Sequence, residues 1–217
     1  PWTFATVIDD LAWIIESLPG GNVDILGYSM GGRMALALAA THPGRVRSLI
    51  LESASPGIAG DRERRERRLA DEHLAERTER DGINAFVAYW ERLPMWESQA
   101  ALPEADRERQ RQLRLSQTCS GLAANLRATG TGAQPSYWEQ LADLATPTLL
   151  IAGELDHKFA QISARMHEAM PHSRLEIVSN AGHAVHLEQP GRYLRLVSQF
   201  LEQPVPSTTQ MKGSDRD

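Results

Sequence analysis

Residues 23–43 read VDILGYSMGGRMALALAATHP. VDILG is short, apolar apart from Asp24 and closed by a glycine, as a buried strand would be. From Met30 the run is rich in Ala and Leu, which predicts a helix up to Pro43. Ser29 sits where the period changes, with Gly27, Gly31 and Gly32 around it. Gly27-Tyr28-Ser29-Met30-Gly31 therefore matches G-x-S-x-G between a strand and a helix, a context that presents a serine hydroxyl at the top of a sheet. Small neighbours let the chain turn sharply, and the helix start brings N–H groups and a positive dipole end to the hydroxyl. Taken alone, the pattern also fits a glycine-containing turn with a bystander serine.

The flanking segments extend the alternation. FATVIDDLAWIIESL (4–18) carries apolar residues at helical spacing and stops at Pro19-Gly20-Gly21. RVRSLILES (45–53) reads as a second strand. Helix, strand, helix, strand favours a parallel sheet with crossover helices, an α/β class. From residue 57 to about 133 the chain is charged and amphipathic with no convincing strand, and DRERRERRLADEHLAERTER (61–80) interleaves arginines with acids. Glu63/Arg67 and Glu76/Arg80 stand at i,i+4, the spacing of ion pairs on an exposed helix. The alternation then resumes: YWEQLADLA (137–145) as a helix, TPTLLIAGE (146–154) as a strand, FAQISARMHEAMP (159–171) as a helix, SRLEIVSNAGH (173–183) as a strand and GRYLRLVSQFLEQ (191–203) as a closing helix. The expected division is a core in two parts, 1–56 and 134–203, a helical lid insertion at 57–133 and a disordered tail at 204–217. An all-helical insertion within an α/β sheet is how a cover over a site would read.

Two later residues complete a chemical set. Asp156 follows the strand TLLIAG, and His183 follows LEIVS. Both are thus expected at the C-terminal ends of parallel strands, the edge where Ser29 emerges and where such sheets bind ligands. A serine needs a base to take its proton. His183 would be that base, and Asp156 would fix its tautomer and support the imidazolium. Asp156 could instead merely cap the helix near Phe159. Glu154 is a rival acid, and His157 and His186 are rival bases. Nothing in the sequence has the pattern of a closed metal site or a phosphate-cradling glycine loop, so no cofactor or metal is expected.

Composition sets the outer bounds. The 217 residues carry a net charge of −5, which argues against wholesale nucleic-acid binding. No apolar run is long enough for a membrane span. The single Cys119 cannot form an internal disulfide and suits a reducing cytoplasm. Oligomeric state is not legible.

LGYSMGGRMALALA (26–39), LILESASPG (49–57), GTGAQPSYWEQL (130–141), GELDHKF (153–159) and AGHAVHLEQP (181–190) together resemble the MenH family of the α/β-hydrolase superfamily, over roughly residues 4–202. The resemblance implies an α/β-hydrolase fold, mostly parallel, with a helical lid. It also implies a lyase of menaquinone biosynthesis rather than a hydrolase. In that family a Ser–His–Asp set removes a proton from a cyclohexene substrate, and pyruvate leaves by elimination. Carried over by position, Ser29, Asp156 and His183 form the set. Arg33 matches a substrate-binding arginine, Tyr28 and the lid residue Trp90 match pocket aromatics, and Arg67 or its neighbour Arg68 matches a second carboxylate-binding position. Met30 would contribute its backbone N–H beside the serine. A further arginine of some members falls near Ser116, with Arg114 close but out of register. Guanidinium groups suit a small-molecule polycarboxylate substrate.

The front of the chain departs from the family. A strand carrying this turn is expected in mid-sheet, yet only one helix precedes VDILG. The expectation is therefore a fragment or alternative start, with the early N-terminal strands and their HG loop missing and one oxyanion-hole donor lost. Two other functions compete: an ester or C–C hydrolase on the same scaffold, which needs no arginine set, and an inactive truncated remnant.

Overall fold

The computed structural model describes residues 2–202. The tail at 204–217, expected to be disordered, lies outside the described residues.

The chain begins with α1 (Phe4–Glu16), whose first turn is closed by a reciprocal capping box between Thr3 and Thr6. It continues through β1 (Val23–Tyr28), α2 (Met30–Thr41) and β2 (Val46–Glu52). Four helices and one 3-10 segment follow: α3 (Asp61–Asp81), α4 (Ile83–Trp90), the 3-10 segment Pro94–Ala101, α5 (Glu104–Leu115) and α6 (Cys119–Thr129). The chain then returns to the sheet with β3 (Thr148–Gly153), α7 (His157–Ala169), β4 (Ser173–Val178), α8 (Val185–Glu188) and α9 (Pro190–Leu201). Among the described residues the sheet has four strands, all parallel, in the order β1-β2-β3-β4. The helical insertion falls between β2 and β3.

Alternation along β2 and β3 divides the core into two layers. Leu49, Leu51 and Leu150 face α1, α2 and α7, packing with Phe4, Ile8, Leu36, Leu38 and Met166. Ile50, Leu149 and Ile151 face the opposite way, toward Val185 on α8 and Tyr193 and Leu196 on α9. β3 is buried at every position, as expected of an inner strand of a parallel sheet covered on both faces. β1 and β4 form the sheet edges, and Leu26 on β1 is 47% exposed.

Two segments differ from expectation. Residues 137–145 hold only a 3-10 turn at Glu139–Asp143 rather than an α-helix. The turn places Leu141 in the core, while Tyr137 N–H donates to the Pro56 carbonyl (2.7 Å) and Trp138 Nε1–H to the Gly57 carbonyl (3.0 Å). Those long-range bonds replace helical ones. The last strand ends at Val178, and residues 179–184 form the loop that carries His183.

Helices α3 and α6 pack together in the insertion, with Arg127 on α6 bridging Glu72 and Glu79 on α3. The expected pairs Glu63/Arg67 and Glu76/Arg80 do not form; Arg67 turns to Asp71 (2.7 Å) and Arg80 to Asp81 (2.7 Å). Asp71 is nearly fully buried and needs a cationic donor more than the exposed Glu63 does. No helix among the described residues is long and apolar enough to cross a membrane.

Candidate active site

The turn after β1 puts Ser29 at φ 49°, ψ −107°, a backbone state that disfavours a side chain. It is held there from both sides. Ser29 N–H donates to the Glu52 carbonyl (2.8 Å), and the Ser29 carbonyl accepts from Arg33 N–H (3.0 Å). Close packing explains two of the three glycines. A Cβ on Gly27 would lie 2.6 Å from the Gly31 backbone, and one on Gly32 would lie 2.6 Å from Ala54 Cβ. A Cβ on Gly31 would meet nothing within 4 Å.

His183 arrives from the loop after β4. Its Nε2 lies 3.0 Å from Ser29 Oγ and its Nδ1 2.6 Å from Asp156 Oδ2. A carboxylate only accepts, so Nδ1 carries the hydrogen and Nε2 offers a lone pair to the serine hydroxyl. That is the protonation a base must start from. The other Asp156 oxygen accepts Phe159 N–H (3.2 Å), the N-cap bond of α7. Asp156 therefore does both things considered for it, with one oxygen each. Glu154 instead accepts Asn180 N–H (3.4 Å), His157 opens α7 on the surface, and His186 bonds Glu52 (2.9 Å).

His183 is 0% exposed. The rings of Tyr28 (5.5 Å), Phe159 (4.7 Å) and Trp96 (5.4 Å, edge-on) enclose it. Trp96 comes from the 3-10 segment of the insertion, so the helical region lies over the triad. Trp90 is one ring further out, stacked on Phe86 (5.6 Å) and tilted against Trp96 (6.1 Å). The Tyr28 hydroxyl is buried with no hydrogen-bond partner among the described residues. Burial first, then the charge of Glu52, pushes its phenol well above the ordinary value, so it is present as a donor.

Arg33, one turn beyond Ser29, is 9% exposed and bonds only neutral groups among the described residues: Gln134 Oε1 (3.1 Å) and the Thr129 carbonyl (3.0 Å). Burial, and next the charge of Arg67, brings its pKa down to about 10, which leaves it cationic at neutral pH. Arg67 is held by Asp71, whose other oxygen accepts Gly132 N–H (3.0 Å). Gly132 must be a glycine, because a Cβ there would lie 2.4 Å from the Arg68 backbone nitrogen. Arg68 itself is exposed on α3. Met30 opens α2 and is 39% exposed; its sulfur lies 4.0 Å from Thr129 Oγ1. Arg114 lies over the Trp96 ring (5.3 Å) and bonds Glu91 (3.2 Å), whereas Ser116 caps α5. Glu52, Asp71, Trp96, Thr129 and Gln134 were not anticipated. Gln134 and Gly132 do sit in the distinctive GTGAQPS stretch, and the geometry gives that stretch its purpose: it clamps the arginines.

A parallel sheet with a serine on a strained strand–helix turn, followed in chain order by an acid and a histidine, defines an α/β-hydrolase-fold protein. A sequence profile described as alpha/beta hydrolase fold matches residues 1–190. A candidate 2-succinyl-6-hydroxy-2,4-cyclohexadiene-1-carboxylate synthase of Bacillus subtilis (strain 168) is 48% identical over 194 residues, 89% of this chain and 71% of that protein. Among solved structures, MenH from S. aureus superposes with a TM-score of 0.89 at 38% identity, covering 92% of this chain and 75% of that one. A thermophilic esterase from Thermogutta terrifontis superposes at 0.78 with 28% identity, covering 92% and 72%. The chain belongs to the MenH family of the alpha/beta hydrolase fold.

Proposed function

We propose that this protein eliminates pyruvate from 2-succinyl-5-enolpyruvyl-6-hydroxy-3-cyclohexene-1-carboxylate to give 2-succinyl-6-hydroxy-2,4-cyclohexadiene-1-carboxylate, a step of menaquinone biosynthesis, in the cytoplasm. Ser29, His183 and Asp156 are the catalytic residues. His183 Nε2 takes the Ser29 proton, and the serine oxygen removes a proton from the substrate ring. The released electron pair forms the C2=C3 double bond, the existing C3=C4 bond shifts to C4=C5, and the C–O bond from C5 to the enolpyruvyl group breaks. The departing enolate takes up a proton and becomes pyruvate. No acyl-enzyme forms. Asp156 holds the imidazolium while it carries the proton.

Arg33 and Arg67, with Tyr28, Trp90 and the start of α2 at Met30, bind the substrate. The observation that carries the lyase reading over ester hydrolysis is Arg33: a buried guanidinium beside the nucleophile whose partners among the described residues are all neutral. A neutral ester gives such a cation nothing to bind, whereas a carboxylate pairs with it through charge-assisted hydrogen bonds. Steady-state assays separate the two. Pyruvate release from the cyclohexene substrate, with negligible turnover of a p-nitrophenyl ester, is expected. Efficient ester turnover without pyruvate release would overturn the reading.

A further inference from the structure

Sheet order sets a problem for this site. Ser29 leaves β1, whereas His183 follows β4 at the opposite edge, three strand spacings or roughly 14 Å away. The segment from 179 to 189 must reach back across the strand ends. Among the described residues, two sets of hydrogen bonds join that segment to the ends of β1 and β2. One is the Ser29–His183 bond itself. The other is made by Glu52.

Glu52 is the last residue of β2, in register with Tyr28, and is 0% exposed. Its carbonyl accepts Ser29 N–H at 2.8 Å. Its carboxylate accepts the His186 backbone N–H at 3.0 Å, and the His186 ring Nδ1 stands 2.9 Å from each oxygen. His186 lies three residues after His183. The Tyr28 ring lies between the two imidazoles, 5.5 Å from one and 4.7 Å from the other. A residue of like size without charge would fill the strand end and avoid desolvating a carboxylate. An apolar one, with no acceptor for the His186 N–H groups, could not tie the histidine segment to the serine turn.

We propose that Glu52 is a positioning residue: backbone to Ser29 and side chain to His186, it sets the separation between the serine hydroxyl and the His183 ring. It touches no reacting atom. Its charge also adds to burial in raising the Tyr28 and Tyr193 phenols above their ordinary value.

The kinetic arm rests on the pyruvate-elimination reading; a spectroscopic arm does not. In the Glu52→Leu protein, kcat is expected to fall on the order of 100-fold with KM changed less than about threefold, the signature of a misplaced base. Glu52→Gln should recover most of that loss, because its amide oxygen still accepts the His186 N–H and its amide N–H₂ can donate to the other His186 tautomer. In 15N-histidine-labelled protein without substrate, the His183 Nε2 signal should carry the shift that the Ser29 hydroxyl bond imposes in the parent and in Glu52→Gln, and that shift should be lost in Glu52→Leu. His186→Leu serves if Glu52→Leu does not fold, and should show the same loss. A folded Glu52→Leu or His186→Leu protein with parental kcat and an unchanged His183 signal would overturn the proposal. If the parent releases no pyruvate, the elimination reading fails, and the spectra alone decide the role of Glu52.

Discussion

At Ser29, the proposed base and a strained backbone turn coincide in one residue. The turn is tolerated only because Gly27 and Gly32 leave room for the helix to close over the strand. Gly27→Ala and Gly32→Ala are expected to destabilise the fold by about 1–3 kcal/mol through overpacking, read by denaturant unfolding. Gly31→Ala, whose methyl meets open space, should fold like the parent. The second motif glycine is thus spared sterically here, and its neighbour carries the packing. Arg33 makes a separate case. Replacing it with methionine keeps the aliphatic bulk and removes the guanidinium. Loss of a charge-assisted bond worth about 1.5–3 kcal/mol should raise KM for the cyclohexene substrate by roughly 10- to 100-fold. An Arg33→Met protein with unchanged KM would remove Arg33 from the binding site.

Among the elements, the insertion contributes rings and cations rather than sheet structure. Trp96 closes over His183, and the α3–α6 pair carries Arg67 and the loop that holds Arg33. Asp71 is the joint of that arrangement, accepting from Arg67 and from Gly132 N–H while nearly fully buried. Asp71→Ala leaves a buried amide and a guanidinium without their acceptor, and should lower stability by about 1–3 kcal/mol. Thermal unfolding reads the stability change, and a KM increase should accompany it. These contacts also mark where sequence reasoning stops. β1 and β3 announce themselves as short apolar runs and β2 and β4 as apolar residues interleaved with polar ones, all bounded by turn residues, and Asp156 and His183 are placed after β3 and β4. The i,i+4 rule offers Arg67 an acid on either side, Glu63 and Asp71, and does not say that the buried one, Asp71, takes it. Arg80 pairs instead with its exposed neighbour Asp81, which the rule does not consider. Trp96 and Gln134 have no local signal of their role. They reach the site through contacts with residues about 90–100 positions away, such as His183 and Arg33.

For the molecule as a whole, parallel strand order brings Ser29, Asp156 and His183 to one end of the sheet from points 154 and 27 residues apart along the chain. Stability at the β1 edge has its own electrostatic part. Arg47, together with Ser48, holds the Asp24 carboxyl below its usual value of 3.8. A depressed carboxyl stabilises the fold above its unfolded value and loses that contribution as the pH falls through the lower folded value. Asp24→Asn should therefore cost about 1 kcal/mol or less at neutral pH, with the difference from the parent vanishing in acid below the carboxylate range. A difference that grows on acidification would contradict the assignment. In the proposed reaction the serine oxygen acts as a base, relayed through His183, without becoming acylated. Pyruvate release by Ser29→Ala, measured beside intact-mass spectra of the parent during turnover, tests it most directly. The kcat should fall at least about a thousandfold in the alanine protein, with no covalent adduct on the parent. Parental kcat in Ser29→Ala, or a substrate-derived mass on Ser29, would contradict it.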